Sequence, residues 1–329
     1  MNGSKITGLG IALPQTELTS AELAARLGSS EEWIVARTGI HSRRIASPTD
    51  TTDRLGRLAS LDAISDAGIA PSDIDLVVCA TVTAERRFPA TACLIQSGLG
   101  GNAPAFDVGA GCSGFLFALH IADAAVRAQG VKHALVVGTE VLSRITDYDD
   151  PKTSVLFGDG AGAAVVSASQ DETHLGPFRL FSDGSKPELL YTDQDRGLIR
   201  MEGREVYRAA VDGMATSVAD LLTEHGVSSD DIDLVVAHQA NQRILDAVAN
   251  RLGLDPALVY SNISRYGNTS SASIPIALFE ARREGLIEEG SLVVLTAFGA
   301  GFTWGAGLLR WGTIKERDRV KALAGVRDV

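Results

Sequence analysis

The stretch Asp107-Val-Gly-Ala-Gly-Cys112-Ser-Gly-Phe-Leu-Phe-Ala-Leu119 decides how this chain is read. A cysteine stands among glycines where a short apolar strand pattern gives way to a helix-like apolar run. Amides at a helix N-terminus point toward such a sulfur and the helix dipole favours the thiolate, so the expectation for Cys112 is a reactive, ionisable thiol. Small neighbours let a substrate approach the backbone closely. The bland reading, a small buried hydrophobe, fits most free cysteines. The glycine-flanked helix start weighs against it here, whereas Cys79, within a strand pattern, and Cys93, within a helix pattern, read as core.

Outward from this stretch, strands and helices alternate. Strand patterns cover 5–14, 75–81, 105–108, 133–138 and 161–166, and helix patterns cover 19–28, 52–68, 90–98 and 112–130. Thr19 is placed to cap the first helix and Gly28 to close it. Short apolar strands between helices predict an α/β fold with a largely parallel sheet covered on both faces.

The chain also repeats itself. Ser72-Asp-Ile-Asp-Leu-Val-Val78 returns as Asp230-Asp-Ile-Asp-Leu-Val-Val236, Ser113-Gly-Phe-Leu-Phe-Ala-Leu119 matches Ala272-Ser-Ile-Pro-Ile-Ala-Leu278, and Leu135-Val-Val137 matches Leu292-Val-Val294. The three offsets agree to within about one residue, which favours duplication over chance Leu-Val-Val strands. A fourth pair, Gly160-Ala-Gly162 and Gly305-Ala-Gly307, implies a shorter connection in the second half. The reading is two pseudo-equivalent halves, 1–168 and 169–329, with 169–206 as a less regular connection bordering the site. The charged end, from Thr313 to Val320, reads as a solvated tail or terminal helix.

Bulk properties narrow the function. Net charge is −11, which argues against nucleic acid as a default partner and requires a local basic island for any acidic protein partner. The longest apolar runs are strand-sized, well short of a membrane span. Three widely spaced cysteines form neither a disulfide framework nor a zinc-ligand pattern, and the start lacks a signal-peptide pattern, so a cytoplasmic location is expected.

Under the repeat, the second half offers two polar strand ends, Val235-Val-Ala-His238-Gln-Ala-Asn241 and Tyr266-Gly-Asn268-Thr-Ser-Ser271, and Cys112 aligns near Ser271. Strand ends are where α/β folds place ligands. Alone, His238 and Asn268 each have a structural reading, as a core histidine and a turn residue. Together with Cys112 they supply a coherent chemistry. The thiolate takes an acyl group from a thioester, and imidazole and amide donors stabilise an enolate formed when a malonyl thioester loses CO₂.

Gly111-Cys112-Ser-Gly, His238-Gln-Ala-Asn-Gln-Arg243, Tyr266-Gly-Asn268-Thr-Ser-Ser-Ala-Ser and Phe298-Gly-Ala-Gly-Phe-Thr-Trp-Gly305 resemble the β-ketoacyl-acyl carrier protein synthase III family of the thiolase fold. Glu32-Trp33-Ile-Val-Ala-Arg37-Thr-Gly-Ile-His and Phe157-Gly-Asp-Gly-Ala-Gly162 extend the resemblance to about residues 4–311. It implies two βαβαβαββ halves in a layered αβαβα core, and a homodimer. It implies Cys112 as nucleophile, His238 and Asn268 as the decarboxylation pair, and the Cys112 and Ala300 amides as an oxyanion hole, although the family more often has glycine at the latter position.

Trp33, Arg37, Asn241 and Lys152 would contact coenzyme A or its pantetheine arm, and Phe88 would border the acyl pocket across the dimer interface. Gln239, Arg243, Arg208 and Arg251 are the docking candidates for an acidic acyl carrier protein. Substrates are then an acyl-CoA and malonyl-carrier protein, with no resident cofactor and no metal. One departure is Asp149-Asp150-Pro151-Lys152, where many relatives carry Asp-Arg-Gly with an adenine-stacking arginine. Lysine has no flat guanidinium face, which leaves open an acyl-carrier-protein donor and a role in polyketide starter priming.

Rival readings are acyl transfer to an oxygen or nitrogen nucleophile, a cysteine hydrolase with Cys, His and Asn in papain-like order, and a catalytically dead scaffold. A thiolase proper needs a second cysteine in the C-terminal half, and Cys112 is the last cysteine in the chain.

Overall fold

The computed structural model describes residues 3–170 and 174–312. The charged end expected to be a tail lies outside the described residues.

Element order follows local sequence. Strand β1 (Gly3–Ala12) leads into an excursion of β2 (Thr16–Thr19), α1 (Ser20–Leu27), α2 (Glu31–Thr38) and β3 (Ser42–Ile45). Thr19 caps α1 through a reciprocal bond with Glu22, and Gly28 ends it in the left-handed conformation at φ 62°. Then come α3 (Thr52–Asp66), β4 (Leu76–Ala80), α4 (Thr91–Leu99), β5 (Ala105–Val108), α5 (Gly114–Gln129), β6 (His133–Glu140) and β7 (Gly160–Ser169). The second half runs β8 (Leu175–Ser182), β9 (Leu190–Thr192), β10 (Ile199–Met201), α6 (Gly203–Glu224), β11 (Leu234–Ala237), α7 (Gln242–Leu252), α8 (Ile263–Tyr266), α9 (Ser273–Arg283), β12 (Leu292–Gly299) and β13 (Thr303–Arg310).

Two main sheets share one order. The first is β1-β7-β6-β4-β5 and the second is β8-β13-β12-β11. Where the first sheet has β5 beside β4, the second has only a single parallel bridge, Val235 to Val259. Register confirms the equivalence: Gly162 pairs with Gly138, and Gly307 pairs with Leu295. The glycine pair of the sequence repeat thus occupies matching points on β7 and β13.

Two expectations need correction. The sheets are mixed rather than largely parallel: β4, β5 and β6 are mutually parallel, but β7 runs antiparallel to both β6 and β1. The cause is that β6 and β7 are joined without a crossover helix, so the chain must reverse. Residues 169–206 are not simply a connection, because β8 within them forms the edge of the second sheet against β13.

Strand alternation builds the layers. Val78 and Ala80 of β4 and Val236 of β11 face a central core with Phe115, Leu116 and Leu119 of α5 and Leu278 of α9. Val77 and Cys79 face outward onto Leu55, Ala59 and Ala63 of α3, and Val235 and Val294 face Val218 and Leu221 of α6. The result is an αβαβα sandwich with α5 and α9 in the middle layer. Each large aliphatic side chain buried in it contributes roughly 1.5–3 kcal/mol. Because α5 and α9 are equivalent helices packed between the sheets, their N-terminal turns, and hence Cys112 and Ser271, meet at the centre of the molecule.

Candidate active site

One cavity of about 710 Å³ opens where the two halves meet. Its wall includes Cys112, His238, Asn268, Ser270 and the Phe298-Gly-Ala300 segment, and its mouth includes Trp33, Arg37, Lys152, Asn241 and Arg243. The sequence-predicted catalytic trio therefore faces a single space.

Cys112 sits in a tight turn, Gly111–Ser113, that precedes α5. Gly111 adopts φ 54°, and a Cβ there would come within 2.8 Å of the Ala300 amide nitrogen. A Cβ on Gly299 would come within 2.4 Å of the Cys112 amide nitrogen. Glycine at both positions lets the two backbones touch, which brings the Cys112 and Ala300 amides to one part of the cavity wall. Ser113 Oγ donates to Thr303 O at 2.8 Å and Thr303 Oγ1 donates to Ala110 O at 2.7 Å, stapling the cysteine turn to the second half.

The thiol does not have the depressed pKa expected from its sequence position. The thiol lines the cavity and is half-buried, yet its desolvated position pushes it up to about 11, with the nearby Glu140 carboxylate acting in the same direction. Desolvation of a thiolate outweighs whatever the end of α5 contributes, because the sulfur lies in the preceding turn. Desolvation therefore favours the thiol over the thiolate.

His238 follows β11 and is 1% exposed. Burial lowers its pKa to about 3, so the ring is neutral. Its Nδ1 lies 2.7 Å from Ser273 Oγ, and that hydroxyl accepts from the Gln239 amide at 3.3 Å. The Gln239 N–H occupies one lone pair of that hydroxyl, and the tautomer that suits a donor role has the hydroxyl proton directed at Nδ1. The ring proton is then on Nε2, making the imidazole a hydrogen-bond donor toward the cavity.

Asn268 is held by backbone pairing with the Phe157-Gly-Asp motif. Its N–H donates to Leu156 O at 2.8 Å and its carbonyl accepts from Gly158 N at 3.0 Å. A Cβ on Gly158 would lie 2.2 Å from Tyr266 O, so only glycine fits. Asn268 Oδ1 accepts from Ser270 N at 2.9 Å, which leaves Nδ2 as the group offered to the cavity. Asp159 secures the same motif by accepting from Ala46 N, Ser143 N and Ser143 Oγ.

The remaining candidates divide. Arg37 stacks over Trp33 at 4.3 Å from the ring centroid. Asn241 lines the cavity, but its amide is engaged: Nδ2 donates to Arg37 O at 3.0 Å and Oδ1 caps α7 at Arg243 N. Arg243 is exposed, beside Tyr207, at the cavity mouth. Arg208 and Arg251 lie outside the cavity wall, paired with Glu205 at 3.4 Å and Asp212 at 2.5 Å.

Gln239 is excluded as a docking residue. It is 1% exposed, donates to Ala237 O and Tyr260 O, and accepts from Asn262 N. Its neighbours in the His-Gln-Ala-Asn motif reach the cavity, but alternation turns Gln239 into the core. Phe88 is 84% exposed and does not line the cavity.

The sequence reading missed Arg204, Tyr207 and the β9–β10 hairpin residues Tyr191 and Met201, which complete the mouth. It also missed Glu140, which is 0% exposed behind Cys112. A glutamate ending an apolar strand at the level of the cysteine turn was the available signal.

Known proteins resemble this chain over nearly its whole length. The model for 3-oxoacyl-[acyl-carrier-protein] synthase III matches residues 106–184, and its C-terminal companion matches 222–311. The β-ketoacyl-[acyl-carrier-protein] synthase III of Aquifex aeolicus is 45% identical over 94% of this chain and all of its own length. The chain belongs to the synthase III family. The relative from Erythrobacter litoralis is 49% identical over 93% of this chain and 98% of its own. The Aquifex aeolicus crystal structure superposes with a TM-score of 0.92, covering 94% of this chain and 100% of that one. The priming β-ketosynthase of the R1128 polyketide pathway superposes at 0.90 with 37% identity, over 95% and 97% of the two chains. Family membership makes the chain an acyl-transferring condensing enzyme of the thiolase fold. No helix among the described residues is long and apolar enough to cross a membrane.

Proposed function

We propose that this chain joins an acyl primer to malonyl-acyl carrier protein by decarboxylative Claisen condensation, initiating fatty acid synthesis. The supporting observation is that Cys112, His238 and Asn268 face one cavity from motifs of the synthase III family. In the first half-reaction Cys112 sulfur attacks the carbonyl carbon of an acyl-CoA, and the coenzyme A thiolate leaves. In the second, the malonyl thioester oxygen accepts from His238 Nε2–H and Asn268 Nδ2–H. Loss of CO₂ puts negative charge on that oxygen, where two preorganised donors stabilise it. The enolate carbon then attacks the acyl-cysteine, whose oxyanion sits at the Cys112 and Ala300 amides, and Cys112 departs. A neutral imidazole suits this role because it donates without needing to gain a proton. Coenzyme A enters as substrate, and the chemistry assigned here requires no resident cofactor.

Trp33, Arg37 and Lys152 at the mouth receive the coenzyme A end, and exposed Arg243 receives the acidic carrier protein. The enzyme works as a cytoplasmic homodimer, with exposed Phe88 reaching the partner's acyl pocket. A second reading, polyketide starter priming, is favoured by the likeness to the R1128 priming ketosynthase and by Lys152 in place of a flat guanidinium.

Intact-protein mass spectrometry after exposure to mixed acyl-CoAs, followed by malonyl-carrier protein, tests the proposal. The expected result is one acyl adduct on Cys112, discharged with CO₂ release. Discharge without CO₂ release would assign acyl transfer to another nucleophile, and an adduct formed only from an acyl-carrier protein would favour the second reading.

A further inference from the structure

The nucleophile has a proton problem. Burial holds the Cys112 thiol protonated, and His238, with its proton on Nε2 and its Nδ1 bound to Ser273, presents no lone pair to the cavity. The sulfur must lose a proton before it attacks and regain one when it leaves.

Two features beside it are unexplained by the condensation chemistry. Ser270 is the only described non-glycine residue with positive φ, at 49°. It is the repeat partner of Gly111, at φ 54°, so the second half carries a hydroxyl where the first uses a glycine for the same turn. A non-glycine side chain there costs on the order of 1 kcal/mol. The Ser270 hydroxyl is buried with no hydrogen-bond partner, lines the cavity, and is close enough to both the Cys112 thiol and the Glu140 carboxylate to lower the pKa of each.

Glu140 is the second feature. Thr83 Oγ1 donates to its Oε2 at 2.7 Å, Thr81 Oγ1 at 3.2 Å and Val82 N at 3.1 Å. Ser271 Oγ, the repeat partner of Cys112, lies 2.8 Å from Glu140 Oε1 and 2.8 Å from Ala80 O. A hydroxyl has one proton for these two acceptors. Pointed at Glu140, it serves the carboxylate. Pointed at Ala80, it accepts a hydrogen bond from the carboxylic acid. One hydroxyl rotation therefore accommodates both protonation states, and burial raises the Glu140 pKa toward the acid form.

We propose that Ser270 and Glu140 carry the proton of the Cys112 thiol. This rests on Cys112 being the acyl-carrying nucleophile. On acylation the S–H proton passes to Ser270 Oγ as the Ser270 O–H proton passes to Glu140. The sulfur lone pair forms the bond to the acyl carbon, and the departing coenzyme A thiolate takes a proton from water. On condensation, the released Cys112 thiolate recovers the stored proton along the same path. The titratable groups facing this cluster are Cys112, Cys79 on β4, Glu140 on β6 and His238 after β11.

The test is the pH profile of Cys112 alkylation by iodoacetamide, quantified at the Cys112 peptide, in wild type, Ser270→Gly and Glu140→Gln. Ser270→Gly relieves the positive φ and should fold. The expected result is about a tenfold lower rate at pH 7 in Ser270→Gly, with the profile displaced to higher pH by about one unit and the rates converging at alkaline pH. Glu140→Gln removes the proton acceptor together with the negative charge that raises the thiol, so its rate at pH 7 should still fall below wild type, and a rate equal to or above wild type would overturn the acceptor role. A Ser270→Gly profile superimposed on wild type, or lowered equally at every pH, would overturn the relay. Wild-type acyl adduct formation on Cys112 is measured separately, so failure of the functional reading remains distinguishable from failure of the relay.

Discussion

Ser273 Oγ lies 2.7 Å from His238 Nδ1, so the direction of this hydrogen bond sets which ring nitrogen carries the proton. Ser273→Ala removes that constraint without touching the substrate. Loss of about 1–1.5 kcal/mol of hydrogen bonding corresponds to roughly a tenfold drop in malonyl decarboxylation. Acylation of Cys112 should be unaffected, so the two half-reactions, measured separately, check the assignment. An equal loss in both would mark Ser273 as merely structural.

The neutral state of His238 has a pH signature. Its folded pKa, about 3, lies below the ordinary value of 6.5. The unfolded chain therefore binds a proton first as pH falls. The stabilising contribution is complete above about pH 6.5 and is lost as pH falls toward 3, at up to about 1.4 kcal/mol per pH unit. Thermal melts from pH 7.5 to 5 should show a smaller acid loss in His238→Asn than in wild type. Parallel curves would mean that the folded ring protonates.

Gly158→Ala should disable the asparagine at a distance. The added Cβ meets Tyr266 O, and the pairing that carries Asn268 must open. Overpacking of this kind costs about 1–3 kcal/mol. Decarboxylation is expected to fall further than Cys112 acylation, and a melting curve with both half-reaction rates gives the comparison.

Charge reversal at the mouth separates partner from substrate. Arg243→Glu should raise the KM for malonyl-carrier protein by about tenfold, from electrostatic repulsion of an acidic partner. Acylation by a small acyl-CoA should persist. Arg251→Glu, outside the cavity wall and already paired with Asp212, should leave carrier-protein use nearly unchanged. Steady-state kinetics at low and high salt decide both, since an electrostatic docking effect shrinks with ionic strength.

The repeat, the order of strands and helices, and the Cys112, His238 and Asn268 trio were legible in the residues. Periodicity and capping are local properties: Thr19 and Gly28 bracket α1 within nine residues, and Leu-Val-Val strands announce themselves. The antiparallel return of β7 and the strand status of residues 175–182 were not legible, because pairing depends on which partner edge is available in space. Gln239 misled for a related reason. It stands inside a functional motif, yet its side chain points into the core, and only the position of Tyr260 and Asn262 reveals this.

The sequence by itself determined that a cysteine, a histidine and an asparagine would stand at equivalent ends of a duplicated α/β unit. Tertiary structure alone decided their protonation. The thiol is held neutral by burial between halves, the imidazole is oriented by a serine 35 residues away, and Glu140 is shared through Ser271, 131 residues on. Ionisation depends on solvent exclusion and on neighbours within a few ångströms, and both arise where the turn before α5 meets the turn before α9 and the strand ends around them.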